Sequence, residues 1–188
     1  MSFLQHLDEL RWRLVRISIA VILFATIIWI FQEWIMNHIF LSMRDKNFVS
    51  FRVLCKFLGV CVEDTTVKMQ SMTVSGQFNY AMMMSIMGGL VLSSPYIFYQ
   101  IWSFVKPGLK VNEMKAARGI VFLISVCFLL GIAFGYFVVA PLTITFFGSF
   151  QISTQIENNF TIGSYMGTII STVFYTGLLF LLPIASFF

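Results

Sequence analysis

Charged residues divide the chain into four long apolar runs. Asp, Glu, Lys and Arg are absent from residues 17–32, 74–105, 119–156 and 158–188. A hydrocarbon core about 30 Å thick is crossed by about 20 apolar residues in a helix. The last three runs exceed that length, and the first reaches it when its apolar flanks are included. The pattern predicts an all-α, polytopic integral membrane protein with four transmembrane helices.

The same pattern sets the limits of the segments within a single membrane domain, residues 1–188. The transmembrane helices are predicted at residues 14–36, 73–99, 118–146 and 163–188. They are joined by an amphipathic N-terminus (1–13), an external loop (37–72), a cytoplasmic loop (100–117) and a second external loop (147–162). The N-terminal segment is expected to lie along the membrane surface, because Phe3, Leu7, Leu10 and Leu14 share one helical face.

Several residues predict how the helices bend and pack. Pro141 is expected to bend the third helix. Gly131 and Gly135 are spaced so that a second helix can approach closely at this point. Uncharged polar side chains suited to hydrogen bonds between helices occur at Gln77, Asn79 and Gln100.

The composition excludes an ordinary soluble domain. The 188 residues are 59% hydrophobic and 11% charged, with a mean hydropathy of +0.88, whereas about a quarter of the residues of soluble domains are charged. The net charge of +4 is attributed to topology rather than nucleic-acid binding, because the basic residues flank apolar runs.

The distribution of Lys and Arg predicts a cytoplasmic N-terminus. With that orientation the external side holds five basic residues, all in the first external loop. The cytoplasmic side holds seven, closer to the helix ends, where they count most. These are Arg11, Arg13, Arg16, Lys106, Lys110, Lys115 and Arg118. The first helix is expected to be retained rather than cleaved, since its apolar run continues into Trp29, Phe31 and Trp34 and no small-residue cleavage site follows.

The sequence lacks the motifs of the common enzyme classes. It contains no nucleophile elbow, zincin motif, phosphate-binding loop or dinucleotide fingerprint. An intramembrane serine protease needs a histidine within its spans, but His6 and His38 lie near or outside them. We therefore predict no enzymatic activity, no metal and no cofactor.

Two of the three cysteines are candidates for a disulfide. Cys55 and Cys61 lie in the first external loop, which faces an oxidising space if the cell is a Gram-negative bacterium. Free thiols are the alternative for this pair. Cys127, in the third helix, is expected to stay reduced.

Segments along the whole chain resemble the TatC family of twin-arginine translocase subunits. The N-terminal signature of that family is similar to HLDELRWRL at residues 6–14. The end of its second helix and its first cytoplasmic loop are similar to SSPYIFYQIWSFVKPGLKVNE at residues 93–113. Its third and fourth helices are similar to GYFVVAPL at 135–142, SY at 164–165 and FLLP at 180–183.

This resemblance implies a fold, a function and a set of partners. The family forms a six-helix cup in the bacterial inner membrane, so four of its helices are expected here. It binds signal peptides with paired arginines and moves folded proteins together with TatA- and TatB-type single-span proteins, in homo- and hetero-oligomers. Because the chain ends at Phe188 without a basic flank or polar tail, we expect two further helices to follow.

The resemblance also assigns roles to individual residues. Glu9 and Glu113 match the signal-recognition glutamates of the family, Phe104 its loop aromatic, and Arg11 and Arg13 its N-terminal arginines. A carboxylate suits this role because it accepts two hydrogen bonds from one guanidinium group. Spacing alone supports other interpretations: an ion pair of Glu9 with Arg13, a solvated loop residue at Glu113, and a membrane-interface anchor at Phe104.

One departure from the family bears on its partners. Leu181 stands in FLLP where the family usually has Glu or Gln, so contact with the single-span partner is expected to rely on packing or another polar residue. The alternative function, a fragment of a small-molecule or ion transporter, would need ionisable residues within the spans. The second to fourth apolar runs contain no Asp, Glu, Lys, Arg or His.

Overall fold

Four long apolar helices make up most of the structure. The computed structural model describes residues 3–44, 69–70, 74–106, 119–150 and 160–186. Four helical segments in these ranges are long and apolar enough to cross a membrane: Leu7–Ile30, Gly76–Val105, Ile120–Gly148 and Ile162–Ile184. The predicted all-α membrane fold with four transmembrane helices is therefore confirmed.

Short irregular segments interrupt or extend these helices. The helices are α1 (Phe3–Ile30), α2 (Gln32–Ile35), α3 (Gly76–Val105), α4 (Ile120–Phe134), α5 (Ala140–Ser149), α6 (Ile162–Leu179) and α7 (Leu182–Ser186). Two π-helical segments (Met36–Phe40 and Gly135–Val139) and a 3-10 segment (Leu41–Arg44) adjoin them. Strands β1 (Met69–Gln70) and β2 (Phe160–Thr161) pair in parallel, and thereby join the chain ahead of α3 to the chain ahead of α6.

The first helix differs from its predicted form. A surface segment was expected to end at residue 13, but α1 is one unbroken helix from Phe3 to Ile30. Glycine and proline are absent from this stretch, and the apolar stripe of the N-terminal segment continues in phase into the span. The helix ends earlier than the predicted residue 36, since Phe31 forms a turn before α2. The membrane limits of the segments stay predictions.

A close helix contact joins α1 to α3. A Cβ atom built on Gly89 would lie 2.7 Å from the main-chain nitrogen and 2.9 Å from the Cα of Ala25. Side-chain atoms essentially never approach a main chain so closely, so glycine is required for this helix spacing. The contact fixes the position of α1 along α3, which matters for the site described below.

The predicted glycine pair in the third span is also confirmed as a packing surface. A Cβ on Gly131 would lie 2.9 Å from the Cα of Gly177, and one on Gly135 would lie 3.0 Å from the Cα of Val173. Both partners belong to α6. The two glycines therefore let α4 and the π-helical segment after it approach α6 closely.

Two tyrosine hydroxyls bind the carbonyls at the end of the π-helical segment Met36–Phe40. Tyr136 donates a hydrogen bond to the carbonyl of Ile39 (2.7 Å), and Tyr165 donates one to the carbonyl of Phe40 (2.8 Å). These carbonyls end the π-helical segment, where the helical hydrogen-bond ladder changes register. A buried carbonyl without a hydrogen-bond donor costs free energy, and the two hydroxyls supply these donors. Because Tyr136 belongs to the third span and Tyr165 to the fourth, their hydrogen bonds attach the segment to both spans.

Proline affects the second and third spans differently. Pro141 lies at the start of α5, directly after the π-helical segment Gly135–Val139. Pro141 was expected to bend the third helix, and the structure shows a change of helix type just before it. The reason is that proline has no N–H to continue the α-helical hydrogen bonds. Pro95 lies inside α3, which nevertheless continues to Val105, beyond the predicted end at residue 99.

Candidate functional site

An ion pair lies near the start of α1. Arg13 donates from Nε (3.0 Å) and from Nη2 to Oε1 of Glu9. The two side chains are partly buried, with exposed fractions of 16% for Arg13 and 32% for Glu9. The spacing of four residues puts them on one helical face. The structure thus contains the i, i+4 pair that spacing alone predicts.

The same arginine connects α1 to the end of α3. Its Nη1 lies 3.3 Å from the main-chain oxygen and 3.4 Å from Oε1 of Gln100. Gln100 is buried and donates from Nε2 to the hydroxyl of Tyr96 (2.7 Å). By accepting hydrogen bonds from Arg13 of α1, Gln100 of α3 forms the predicted hydrogen bond between helices. The other polar residues proposed for that role, Gln77 and Asn79, are exposed.

Phe104 lies one helical turn beyond this connection. It is half-buried and follows Gln100 by four residues in α3, so both lie on the same helical face. Arg11 is exposed and lies two residues from both Glu9 and Arg13, on another face of α1. The structure therefore brings Glu9, Arg13 and the Phe104 turn to one end of the protein and leaves Arg11 outside the cluster.

Sequence reasoning did not assign Gln100 and Tyr96 to this site. One signal for Gln100 was available, because it is a polar residue near the end of a charge-free run and next to the basic loop. Its contact with Arg13 joins residues 87 positions apart. Local spacing therefore contains no information about it.

Arg13 fixes the orientation of the Glu9 carboxylate, which can still accept further hydrogen bonds. Both bonds from Arg13 reach Oε1 of Glu9, and within the described ranges no donor reaches Oε2. Ionised carboxylates accept about four hydrogen bonds. An incoming guanidinium group can thus bind Oε2, or can replace Arg13, which would keep its bonds to Gln100.

The other predicted residues are Glu113, Cys55, Cys61 and Leu181. Glu113 and the cysteines Cys55 and Cys61 fall outside the described residues. Leu181 is half-buried in the turn between α6 and α7, so the fourth span is interrupted where one continuous helix was predicted. Pro183 follows closely and has no N–H for an α-helical bond. Among the residues that the structure describes, no group of three or more His, Cys, Asp or Glu side chains is placed to hold a metal.

Comparison with known proteins gives consistent matches along the chain. The family profile described as Sec-independent protein translocase protein (TatC) matches residues 5–188. The TatC protein of Blattabacterium sp. subsp. Periplaneta americana is 32% identical over 197 aligned residues, which cover 100% of this chain and 74% of that protein. The TatC protein of Koribacter versatilis is 30% identical, with 100% and 64% covered.

Solved structures give the same fold. A crystal structure of the twin arginine translocase receptor TatC superposes with a TM-score of 0.72 at 23% identity, covering 96% of this chain and 72% of that one. The chain therefore spans roughly two thirds to three quarters of these relatives, and 46% of the TatC protein of Halothiobacillus neapolitanus.

Proposed function

The chain belongs to the TatC family of Sec-independent protein translocase proteins, and from this membership we propose that it binds the paired arginines of twin-arginine signal peptides. Members of this family are multi-pass membrane proteins with a role in protein transport rather than catalysis. Family membership therefore favours the translocase over the transporter alternative.

The Glu9–Arg13–Gln100 connection is the observation that supports the proposal. It holds a carboxylate from α1 next to the end of α3, one turn before Phe104. The loop with Glu113 follows α3 directly in the sequence. An acid from the N-terminal helix and an acid from this loop are thus proposed to accept one arginine each, while Phe104 packs against the apolar part of the peptide.

The surrounding charge adds selectivity. Near this end, Arg11, Arg16 and Lys106 are exposed, and they repel peptides that carry dispersed positive charge. Two adjacent guanidinium groups overcome this repulsion because each forms a bidentate pair with a carboxylate. Asp8 is exposed and has no bond within the described part of the chain, so it is not assigned a role.

Replacing both peptide arginines by lysines tests this recognition. A lysine ammonium group keeps the charge but not the planar two-donor geometry, so the affinity is expected to fall by about tenfold or more, or about 1.4 kcal/mol. Fluorescence anisotropy of a labelled peptide with the protein in nanodiscs measures this. Equal affinities for the two peptides would show that positive charge alone causes binding and that bidentate recognition of arginine does not contribute.

The proposed orientation places both chain ends of the four-span unit in the cytoplasm of the bacterial cell, with the unit in the inner membrane. Parallel pairing of β1 with β2 supports the alternation of the four spans, since it brings together the two loops assigned to one side of the membrane, and the basic flanks of the spans carry the assignment of that side. In a background without native cysteines, a membrane-impermeant maleimide applied to intact cells should modify Asn47→Cys and spare Val111→Cys. The opposite labelling would reverse the orientation.

Partner binding is proposed to involve Leu181 and TatA- or TatB-type single-span proteins, which assist the movement of folded proteins. A carboxyl group at this half-buried position would need a polar partner. Leu181→Glu should therefore increase crosslinking to a co-expressed TatA-type protein. The matched control is Leu182→Glu, next in sequence and 60% exposed, which should not change it. Equal crosslinking of Leu181→Glu and the unchanged protein would remove this position from the partner surface.

A further inference from the structure

A second polar region lies at the opposite end of the helices from the Glu9 site. Glu33 follows Glu9 by 24 residues, or about 36 Å of helix at 1.5 Å per residue. There α1, α2, the π-helical segment Met36–Phe40, α3 and α6 line an open cavity of about 650 Å³. Among the polar side chains that line it are those of Gln32, Glu33, Asn37 and Gln77.

Within the part of the chain that the structure describes, these polar side chains have no protein partner. Among the described residues, Arg13–Glu9 is the only ion pair, so Glu33 has none. In those same ranges, no hydrogen bond joins the side chain of Gln32, Glu33, Asn37 or Gln77 to another residue. One carboxylate and three amides therefore converge on one cavity with free hydrogen-bonding capacity.

The rest of the lining is aromatic and apolar. The indole of Trp29 contributes to the wall and is held by an edge-to-face contact with Phe78, with ring centroids 5.6 Å apart. Buried Met84 and Met166 form the base. The cavity thus combines an anionic, amide-rich rim with an apolar base, which suits a ligand that has a cationic head and an apolar remainder.

The chemistry of the rim selects a primary ammonium group. Such a group donates three hydrogen bonds, which match a carboxylate and amide oxygens. It also binds favourably over the face of an indole ring. A quaternary ammonium group has no N–H and would leave the carboxylate and the amides without donors.

The position of the cavity indicates where such a ligand comes from. Tryptophan side chains near helix ends mark the level of the lipid headgroups, and Trp29 and Trp34 flank Glu33 in sequence at the end of the first span. We propose that this cavity binds the ammonium headgroup of an aminophospholipid such as phosphatidylethanolamine. Glu33 pairs with the ammonium group, Trp29 covers it, and the methionine base contacts the glycerol and acyl part. This inference does not depend on signal-peptide binding.

Native mass spectrometry of lipids retained from bilayers tests the proposal. The protein is reconstituted in bilayers with equal amounts of phosphatidylethanolamine and phosphatidylcholine, and the ratio of the bound lipids is measured. We expect about a fivefold preference for phosphatidylethanolamine, which corresponds to about 1 kcal/mol. Glu33→Gln should bring the ratio close to one, while the matched control Asp8→Asn, at the other end of the protein, should leave it unchanged.

Three outcomes would overturn the proposal. The first is equal retention of both lipids by the unchanged protein, and the second is a preference that Glu33→Gln leaves intact. The third is binding of a soluble amine of the same chemistry instead of a lipid. Ethanolamine added to protein in pure phosphatidylcholine bilayers should not raise the unfolding temperature. If it did so in a manner abolished by Glu33→Gln, the ligand would be a soluble amine instead of a lipid.

Discussion

Glu9→Ala is expected to weaken binding of a twin-arginine signal peptide by one to several decades. Removing one partner of a partly desolvated charge pair typically costs about 2–5 kcal/mol, and about 1.4 kcal/mol corresponds to a factor of ten. The same loss is expected for Glu113→Ala. Titration of a labelled peptide against each variant in nanodiscs measures the effect.

The control for this variant is its neighbour in sequence. Asp8 has the same charge as Glu9 but is exposed and has no bond among the described residues. Asp8→Ala should therefore bind the peptide with unchanged affinity. Because Glu9→Ala also removes the partner of Arg13, the variant's unfolding temperature must be measured alongside. A fall in affinity of similar size for Asp8→Ala would show that only overall charge matters.

Gly89→Ala is expected to destabilise the protein by about 1–3 kcal/mol. The new methyl group would lie within 3 Å of the main chain of Ala25, so α1 must move away from α3. Peptide binding should fall as well, since the hydrogen bonds of Arg13 to Gln100 depend on this helix spacing. Thermal unfolding in detergent, followed by circular dichroism, measures the change in stability.

Gly167→Ala provides the matched control in α6. A Cβ at Gly167 meets no atom within 4 Å, and alanine is favoured over glycine in a helix by up to about 1 kcal/mol. Its unfolding temperature should therefore stay the same or rise. If both variants unfolded at the same temperature, the close contact between α1 and α3 would not limit stability.

The number of spans was predictable because it depends on composition alone. A charge-free apolar run of about 20 residues is long enough, as a helix, to cross the hydrocarbon core. The helix limits were less predictable. The unbroken passage of α1 through residue 13 and the continuation of α3 beyond residue 99 depend on helical hydrogen bonding, which hydropathy does not report.

The π-helical segments could not be predicted, because their stabilisation comes from distant residues. The carbonyls of Ile39 and Phe40 accept hydrogen bonds from the hydroxyls of Tyr136 and Tyr165, which lie 97 and 125 residues away. A shift of one residue in helical register leaves little trace in a pattern of apolar positions. The tyrosine of the SY segment thus has a structural role that the sequence did not indicate.

The candidate site was partly predictable. The spacing of Glu9 and Arg13 predicts their ion pair, and the family resemblance selects these residues among many charged ones. The function of Arg13 as a link to α3 required the fold, since Gln100 becomes its neighbour only when α1 packs on α3. The role of Glu113 stays a prediction.

Site-specific photo-crosslinking tests the proposed recognition most directly. A photoreactive residue is placed at position 9, 104 or 113 of the membrane-embedded protein, and two signal peptides are compared, one with paired arginines and one with paired alanines. We expect crosslinks from all three positions to the arginine peptide and a large decrease with the alanine peptide. Equal crosslinking of the two peptides would contradict signal-peptide recognition at this site.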